Sequence, residues 1–500
     1  MFLRALSLLL TFYLVRSEND AKVLILGAGA AGLTAAEVFH NQGMDDFIII
    51  EGDDHIGGRV TDVPFAGAIV ELGANWAQPG DTSIVTEVLD LGIKHHVSDF
   101  DSLLVFNQTG NDVTNSTDPI WERLEEAIEY MAEKAEILIN EKKSDISQRA
   151  TLRLGGWYPK TPVEKAVEWF DFDFEWADIP EVTSTKSTAL LKADEDILFV
   201  TDPRGFKFIF NESTSFLYDD PTFEGRLQLN KIVTAVNYEG DRVVVTCKDG
   251  TTFTGDYVLM TFSLGVLQNE VVDFQPELPE WKIQELYKFI MADFTKIFMK
   301  FDTQFWPDEE WFIHAHERRG YFPVFYNLEA KGLFPKGTNM LAAFVTGNEA
   351  RRIEQQPKSE TSAEITTVLR TIFGDTASAP TEIIHSGWST NPFTYGAYSN
   401  WPVEVSEECF KKIESRVGPI FFGGEHTDPI YNGYILGGQL SGKREAMKIL
   451  DCMNIRDGDE CPIWQEVKKA DCDCTSGASI IPKYASLHFV ALSLFLMLMK

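Results

Sequence analysis

Hydrophobic residues near the start of the chain form two kinds of pattern, unbroken runs and a helical spacing. Residues 22–26 form an unbroken apolar run that predicts a buried strand, and residues 47–50 form a second one. Between them, the apolar positions of residues 33–39 recur at the spacing of one helix face. Strand, helix and strand in this order predict the beginning of an α/β fold.

Two further patterns predict elements outside this first unit. The apolar positions of the first lie three and four residues apart and predict an amphipathic helix; they are Trp121, Leu124, Ile128, Met131, Ala135 and Leu138. The second is the alternation of residues 242–247 followed by 251–254, which predicts a hairpin. We expect the helix to pack its apolar face into a core and assign it no catalytic role.

The N-terminus carries an apolar run of another kind. Arg4 precedes apolar residues 5–15, and Ser17 lies at a small-residue cleavage site, which is the layout of a secretory signal peptide. We therefore assign residues 1–17 to a signal peptide, with a buried N-terminal strand as the alternative.

The C-terminus resembles a lipid-anchor signal. Small residues at 475–478 precede a short spacer and an apolar tail at 485–499. Residues 477–500 are therefore assigned to a glycolipid-anchor signal, and a short tail anchor or a docked amphiphilic helix are the alternatives. The protein is expected to be secreted or held at the extracellular surface, and this anchor is its only expected membrane attachment.

Cysteines and glycosylation sequons agree with export. Four of the six cysteines lie close together near the C-terminus: Cys452, Cys461, Cys472 and Cys474. They predict disulfides of undetermined pairing around a Cys-rich tail at 456–476; a zinc site is the alternative, but no histidine lies among them. Three Asn-x-Ser/Thr sequons predict glycosylation in exposed loops, at Asn107, Asn115 and Asn211.

Length and charge exclude several classes of protein. With 500 residues, 44% of them hydrophobic, the chain can bury a large core divided over two or three units, so neither disorder nor a small disulfide scaffold fits. A formal net charge of −32 argues against nucleic-acid binding. It favours cationic partners, with a role in solubility alone as the alternative.

The first strand runs into a glycine motif that fits a dinucleotide. Gly27 allows a tight turn, Gly29 lets the backbone approach a pyrophosphate, and Gly32 lets the helix pack closely on the sheet. The helix N-terminus then offers free N–H groups to the anion. Glu51 follows the second strand, where its carboxylate can bind ribose hydroxyls.

The next segment favours FAD over NAD. Gly57 and Gly58 are followed by Arg59, soon after the ribose acid. This second glycine pair is typical of FAD folds, in which the chain returns past the pyrophosphate. We therefore predict FAD as the cofactor, with Gly58 and Arg59 among the residues that bind it.

From about residue 22 to residue 450 the chain resembles the flavin-dependent amine oxidases, and among them the secreted plant type of polyamine oxidase. Nine segments carry the resemblance, at residues 71–76, 227–233, 295–298, 305–307, 318–321, 351–356, 398–402, 423–427 and 431–434. The resemblance implies a mixed α/β fold, in which a Rossmann-like FAD-binding domain is interleaved with a substrate domain of sheet and helices.

The implied domains are discontinuous. The FAD-binding domain would comprise residues 18–95, 200–265 and 385–455. The substrate-binding domain would comprise residues 96–199 and 266–384.

The resemblance also assigns roles to single residues. Lys296 would be the catalytic lysine beside the reactive edge of the flavin, and Tyr398 and Tyr434 would flank the substrate amine. A buried lysine in an apolar strand is costly without such a task or a partner. Further cofactor contacts would come from Val233, Trp401, Glu425 and Ile435.

Three positions bear on the substrate. Glu175 matches an acid of the substrate tunnel. Gln78 stands where the plant-type enzymes carry a second carboxylate, and Phe294 stands where they carry a tyrosine. Charge-assisted binding of a polycation would therefore be weaker or differently placed than in those enzymes.

The implied activity is oxidation of a spermine- or spermidine-class polyamine. A hydride would pass from the carbon beside the amine nitrogen to the flavin, dioxygen would be reduced to hydrogen peroxide, and the imine would hydrolyse to an aldehyde and an amine. Oxidation of another amine or an amino acid, or a catalytically weak flavin-binding surface protein, are the alternatives.

We expect a monomer and no metal site, and His95 and His96 are expected to be a surface pair.

Overall fold

The structure is a computed structural model that describes residues 19–78, 83–188, 197–403 and 405–454. The predicted signal peptide, Cys-rich tail and anchor signal lie outside the described residues. Within the described ranges, none of the helices is both long and apolar enough to cross a membrane.

Strands and helices are numbered here in chain order. The strands are β1 (Asp20–Leu26), β2 (Phe47–Ile50), β3 (Asp62–Phe65), β4 (Ala68–Glu71), β5 (Trp76–Ala77), β6 (His95–Val97), β7 (Leu103–Phe106), β8 (Leu198–Val200), β9 (Leu227–Gln228), β10 (Val233–Asn237), β11 (Val243–Cys247), β12 (Thr252–Met260), β13 (Asp273–Gln275), β14 (Ile290–Ala292), β15 (Phe294–Lys300), β16 (Trp311–His314), β17 (Val324–Asn327), β18 (Met340–Thr346), β19 (Glu382–His385), β20 (Tyr398–Asn400) and β21 (Ile420–Phe422). The helices are α1 (Ala30–Asn41), α2 (Ser83–Asp90), α3 (Asp118–Asn140), α4 (Gln148–Leu154), α5 (Pro162–Asp171), α6 (Asp173–Trp176), α7 (Thr185–Thr188), α8 (Phe208–Ser213), α9 (Phe216–Asp219), α10 (Leu264–Gln268), α11 (Glu280–Leu286), α12 (Gly347–Gln355), α13 (Lys358–Phe373), α14 (Glu407–Glu414) and α15 (Ile435–Met453).

An eight-stranded sheet is built around the predicted first unit. Its order is β13-β10-β11-β12-β1-β2-β9, and β21 also pairs with β12. Strand β1 lies parallel to both β2 and β12, and β21 is parallel to β12. The carboxyl ends of these four strands therefore meet at one edge, where ligands of open α/β sheets bind.

A six-stranded sheet forms the second unit, in the order β19-β15-β18-β17-β16-β7. Its central strands β15 and β18 are buried along almost their whole length, because both faces are covered by hydrophobic cores. The predicted mixed α/β fold with a Rossmann-like sheet is confirmed.

The predicted amphipathic helix and hairpin are both present. Helix α3 buries Leu124, Met131 and Leu138 on one face. Strands β11 and β12 pair antiparallel, with Val245 opposite Phe253.

The middle segment of the FAD-binding domain, predicted to end at residue 265, extends further along the chain. Strand β13 pairs with β10 in the eight-stranded sheet. Leu286 and Met291 also pack into the same core as that sheet. The pairing is set by contacts distant in sequence, which local patterns do not reveal.

Candidate active site

The glycine motif forms the turn between β1 and α1. Gly27 has φ +111, and a Cβ there would lie 2.6 Å from Oγ1 of Thr261. A Cβ on Gly32 would lie 2.0 Å from the carbonyl oxygen of Gly27, so the helix can approach the turn only with glycine there. Gly29 has open space above it and borders a large cavity, and no side chain caps the helix that follows. The uncapped N–H groups can therefore bind an anion.

Glu51 lies at the end of β2 and is 9% exposed. Its carboxylate accepts hydrogen bonds from the backbone N–H of Ala28, at 2.6 Å, and of Asp53, at 2.8 Å. Burial raises the Glu51 pKa, while these hydrogen bonds act in the opposite direction. The residue borders the cavity beside the glycine turn, as expected for an acid that binds a ribose.

The second glycine segment returns past the first. Gly57 donates to the carbonyl oxygen of Ala28 at 2.8 Å, and a Cβ on Gly58 would lie 3.4 Å from the Cα of Gly29. Arg59 follows directly and donates to Oε1 of Glu425 at 2.8 Å. Two segments far apart in sequence are thereby joined at the cavity wall.

Glu425 is held by donors on several sides. Besides Arg59, its carboxylate accepts from the hydroxyl of Ser399, at 2.5 Å, and the N–H of Gly433, at 2.7 Å. Burial acts to raise the Glu425 pKa, but the charges of Arg59 and His426 and the hydrogen bonds from Ser399 and Arg59 outweigh it, so the pKa is lowered. Glu425 therefore stays ionised.

One cavity of about 810 Å³ connects this region with the second unit. This volume is at the upper end of the usual range for ligand sites, about 300–1,000 Å³. The predicted site residues that line it are Gly27, Gly29, Glu51, Gly58, Arg59, Gln78, Glu175, Val233, Lys296, Tyr398, Glu425, Tyr434 and Ile435. The open glycine surface, uncapped helix end, buried acid and arginine fit a dinucleotide at one end of this cavity.

Lys296 projects from β15 into the other end. Its Nζ donates to the carbonyl oxygens of Gly73, at 2.5 Å, and Glu71, at 3.3 Å, and to Oδ1 of Asn75, at 3.0 Å. It also lies 5.0 Å from the ring centroid of Trp76. Burial lowers the Lys296 pKa, and the Glu71 carboxylate partly opposes this shift. The amine is thus fixed in place and can change its charge more readily than an exposed lysine.

Tyr398 and Tyr434 meet at Glu175. The hydroxyl of Tyr398 donates to the Glu175 carbonyl oxygen at 3.1 Å, and that of Tyr434 donates to the Glu175 carboxylate. Burial raises the Glu175 pKa, and the Tyr434 hydroxyl partly opposes this shift. Phe294 lies beside this group, 6.2 Å from Tyr398 between ring centroids. An acid and two aromatic faces on one cavity can bind an amine and exclude water.

Two predicted cofactor residues do not line the cavity. Trp401 is 3% exposed and packs against Phe410, with ring centroids 4.8 Å apart, while its indole N–H donates to the carbonyl oxygen of Val405. The predicted flavin contact of Trp401 therefore has no support in the geometry. Gly32 also lies away from the cavity, where it serves the close helix packing expected of it.

The sequons lie in three different settings. Asn115 is exposed in a short turn of 3-10 helix. Asn107 is half-buried, and its side-chain oxygen accepts bonds within its own turn. Asn211 lies in α8 and not in the predicted loop.

The two adjacent histidines, His95 and His96, are less exposed to solvent than expected. His96 is half-buried, and its Nε2 lies 3.1 Å from the fully buried Glu310. His95 contacts the carbonyl oxygen of Ile93 instead, because neighbouring strand residues point to opposite sides. The two rings therefore have separate partners, and the expectation of a surface pair was wrong because both histidines are half-buried.

Sequence reasoning missed several residues of the cavity wall. Asn75 and Trp76 lie in a segment that carries the resemblance, so that segment held a signal for them. Trp388 donates to the carbonyl oxygen of Leu72 and borders the cavity without any sequence signal. Asp171, at the end of α5, was also not singled out.

Comparison of the sequence with known protein families identifies the family to which this chain belongs. Residues 30–450 match the family of flavin containing amine oxidoreductases, and the chain belongs to that family. It is an FAD-dependent amine oxidase.

Its relatives include plant enzymes. Polyamine oxidase 1 of Zea mays is 37% identical, over 86% of this chain and 90% of the relative. Polyamine oxidase 7 of Oryza sativa subsp. japonica is 36% identical, over 86% of this chain and 94% of the relative. The fold is also similar to that of wild-type putrescine oxidase bound to putrescine, with a TM-score of 0.69, 20% identity, and coverage of 86% of this chain and 99% of the other.

Proposed function

We propose that this enzyme oxidises polyamines of the spermine and spermidine class. The products are hydrogen peroxide, an aldehyde and an amine. The observation that carries the proposal is the joint placement of Glu175, Tyr398 and Tyr434 on the cavity that also holds Lys296. The similarity to plant polyamine oxidases supports the same substrate class.

The aromatic pair orients and desolvates the substrate nitrogen. The cation–π attraction and apolar faces of Tyr398 and Tyr434 hold the amine, and the carboxylate of Glu175 compensates its charge. The flavin, when bound, supplies the chemistry of accepting a hydride from the carbon beside the nitrogen and passing electrons to dioxygen.

Lys296 provides a fixed donor at the reacting end of the cavity. Its three hydrogen bonds keep the ammonium in one place. A preorganised cation of this kind stabilises negative charge that develops during the reaction. Because burial lowers its pKa, the same nitrogen can release or accept a proton near neutral pH.

Anaerobic reduction of the bound flavin tests the proposal. Spermine and spermidine are expected to bleach its visible absorbance, and to release peroxide once air is admitted, whereas butylamine should do neither. If butylamine or an amino acid bleaches the flavin and the polyamines do not, the substrate class is wrong. If no amine bleaches it, the protein is a catalytically weak flavin binder.

We also infer that the protein is exported as a glycosylated monomer and held at the cell surface by a lipid. The apolar ends of the chain and the clustered cysteines support export and the lipid anchor, and the exposed sequon at Asn115 supports glycosylation. Expression in a eukaryotic secretory host, followed by glycosidase and phospholipase treatment and by size-exclusion chromatography, tests it.

A further inference from the structure

Asp171 is an unpaired carboxylate on the wall of the active-site cavity. It is the last residue of α5, and it shares the cavity with Glu175 and the neutral Gln78. In the part of the chain that the structure describes, no side chain or backbone group forms a hydrogen bond or an ion pair with it. A partly buried carboxylate normally has such a partner.

Two arginines that pair with the acids neighbouring Asp171 in sequence are fully engaged by those acids. Arg149 binds both oxygens of Glu168, at 2.5 and 2.6 Å. Arg319 binds Glu168 at 2.5 Å and both oxygens of Asp173, at 2.5 and 3.1 Å. These contacts hold the acids on either side of Asp171 and leave it without a counter-charge.

Burial and two neighbouring carboxylates disfavour the negative charge of Asp171. Burial raises the Asp171 pKa to about 7, and the neighbouring carboxylates of Glu125 on α3 and Glu168 on α5 act in the same direction. The carboxylate also lies at the C-terminal, partially negative end of α5. A bound cation would offset these effects.

The wall around Asp171 suits a chain of methylene groups. Its neighbours on the cavity are apolar: Phe100, Ile128, Met131, Phe170 and Phe172. A flexible chain with separated positive charges can pack its methylenes on these side chains and present an ammonium to each carboxylate.

We propose that Asp171 binds a second ammonium group of the substrate while Glu175 lies near the reacting amine, so that the enzyme selects extended polyamines over monoamines. This inference rests on the proposed function and adds a residue that determines specificity. Asp171 acts in binding and takes no part in the chemical step.

The test compares Asp171→Asn with the wild-type enzyme. The variant should raise the KM for spermine about tenfold, because a charge-assisted contact is lost, and leave kcat within about twofold. Linear diaminooctane and octylamine, used as inhibitors, share one chain length and differ in one ammonium. The Ki of the diamine should rise about tenfold, and that of octylamine should not change.

Asp178→Asn is the matched control. It removes the same charge a short distance along the chain, at a residue that does not line the cavity. It should leave the KM and both Ki values unchanged. The content of bound flavin and the thermal unfolding temperature check that each variant folds. If Asp171→Asn does not fold, Asp171→Ser is used in its place.

Each outcome decides the proposal. Equal losses for diamine and monoamine, or no loss in the folded variant, overturn the role of Asp171 while the proposed function stands. If the wild-type enzyme fails to oxidise spermine and spermidine at all, the proposed function fails and the role of Asp171 fails with it.

Discussion

Lys296 shows how one residue acquires its role from its surroundings. It lies in an apolar strand, where burial of a lysine is costly, and in the sequence only the resemblance to the amine oxidases marks it as catalytic. The structure supplies three oxygen acceptors from the segment between Glu71 and Asn75, and it places the ammonium on the cavity wall.

Replacing Lys296 by Met should lower turnover about 100-fold, since loss of one preorganised charge at a reacting centre typically has an effect of that size. Stopped-flow measurement of flavin reduction and reoxidation would assign the loss to one half-reaction. Lys300→Met is the matched control, because Lys300 lies on the same strand but pairs with Glu382 at the surface. An equal loss in both variants would contradict the role of Lys296.

At the scale of elements, two glycines let helix α1 pack closely against its neighbours at the nucleotide-binding end of the cavity. Helix α1 touches the β1 turn through Gly32. Helix α15 approaches α1 through Gly442, where a Cβ would lie 2.1 Å from the carbonyl oxygen of Ala31. The first contact was predictable from the glycine motif, but the second was not, because α15 lies some four hundred residues away along the chain.

Gly29→Ala and Gly32→Ala should separate folding from cofactor binding. Gly32→Ala forces a methyl group into a backbone oxygen, so it should destabilise even the flavin-free protein by about 2–3 kcal/mol. Gly29→Ala has room for its methyl group and should leave the stability of the flavin-free protein unchanged, while it weakens flavin binding. Urea unfolding and flavin titration measure the two effects. Normal flavin affinity in Gly29→Ala would argue against a pyrophosphate at this turn.

The whole molecule brings two sheets to one cavity. The carboxyl edge of the eight-stranded sheet supplies the glycine turn and Glu51, and strand β15 of the six-stranded sheet supplies Lys296. The net charge of −32 surrounds this arrangement with a field that attracts cations.

Added salt should therefore lower kcat/KM for spermine several-fold and leave kcat nearly constant. The reason is that the Debye length shortens from about 30 Å at 0.01 M to about 8 Å at 0.15 M salt. Steady-state kinetics in sodium chloride measure the effect, and spermidine, with fewer charges, serves as the comparison. Equal salt dependence for the two would show that the field does not steer the substrate.

The sequence by itself determined the first unit, the preference for FAD and the family. The first two rest on local features: the two apolar strands, the spacing of Gly27, Gly29 and Gly32, and the second glycine segment at residues 57–59. The family rests on nine short segments spread from residue 71 to residue 434. Only the tertiary structure decided that Trp401 packs in the core, that β13 joins the first sheet and that Asp171 lies unpaired on the cavity. Periodicity along the chain reports which face of an element is buried, whereas these three outcomes depend on which distant segments pack together.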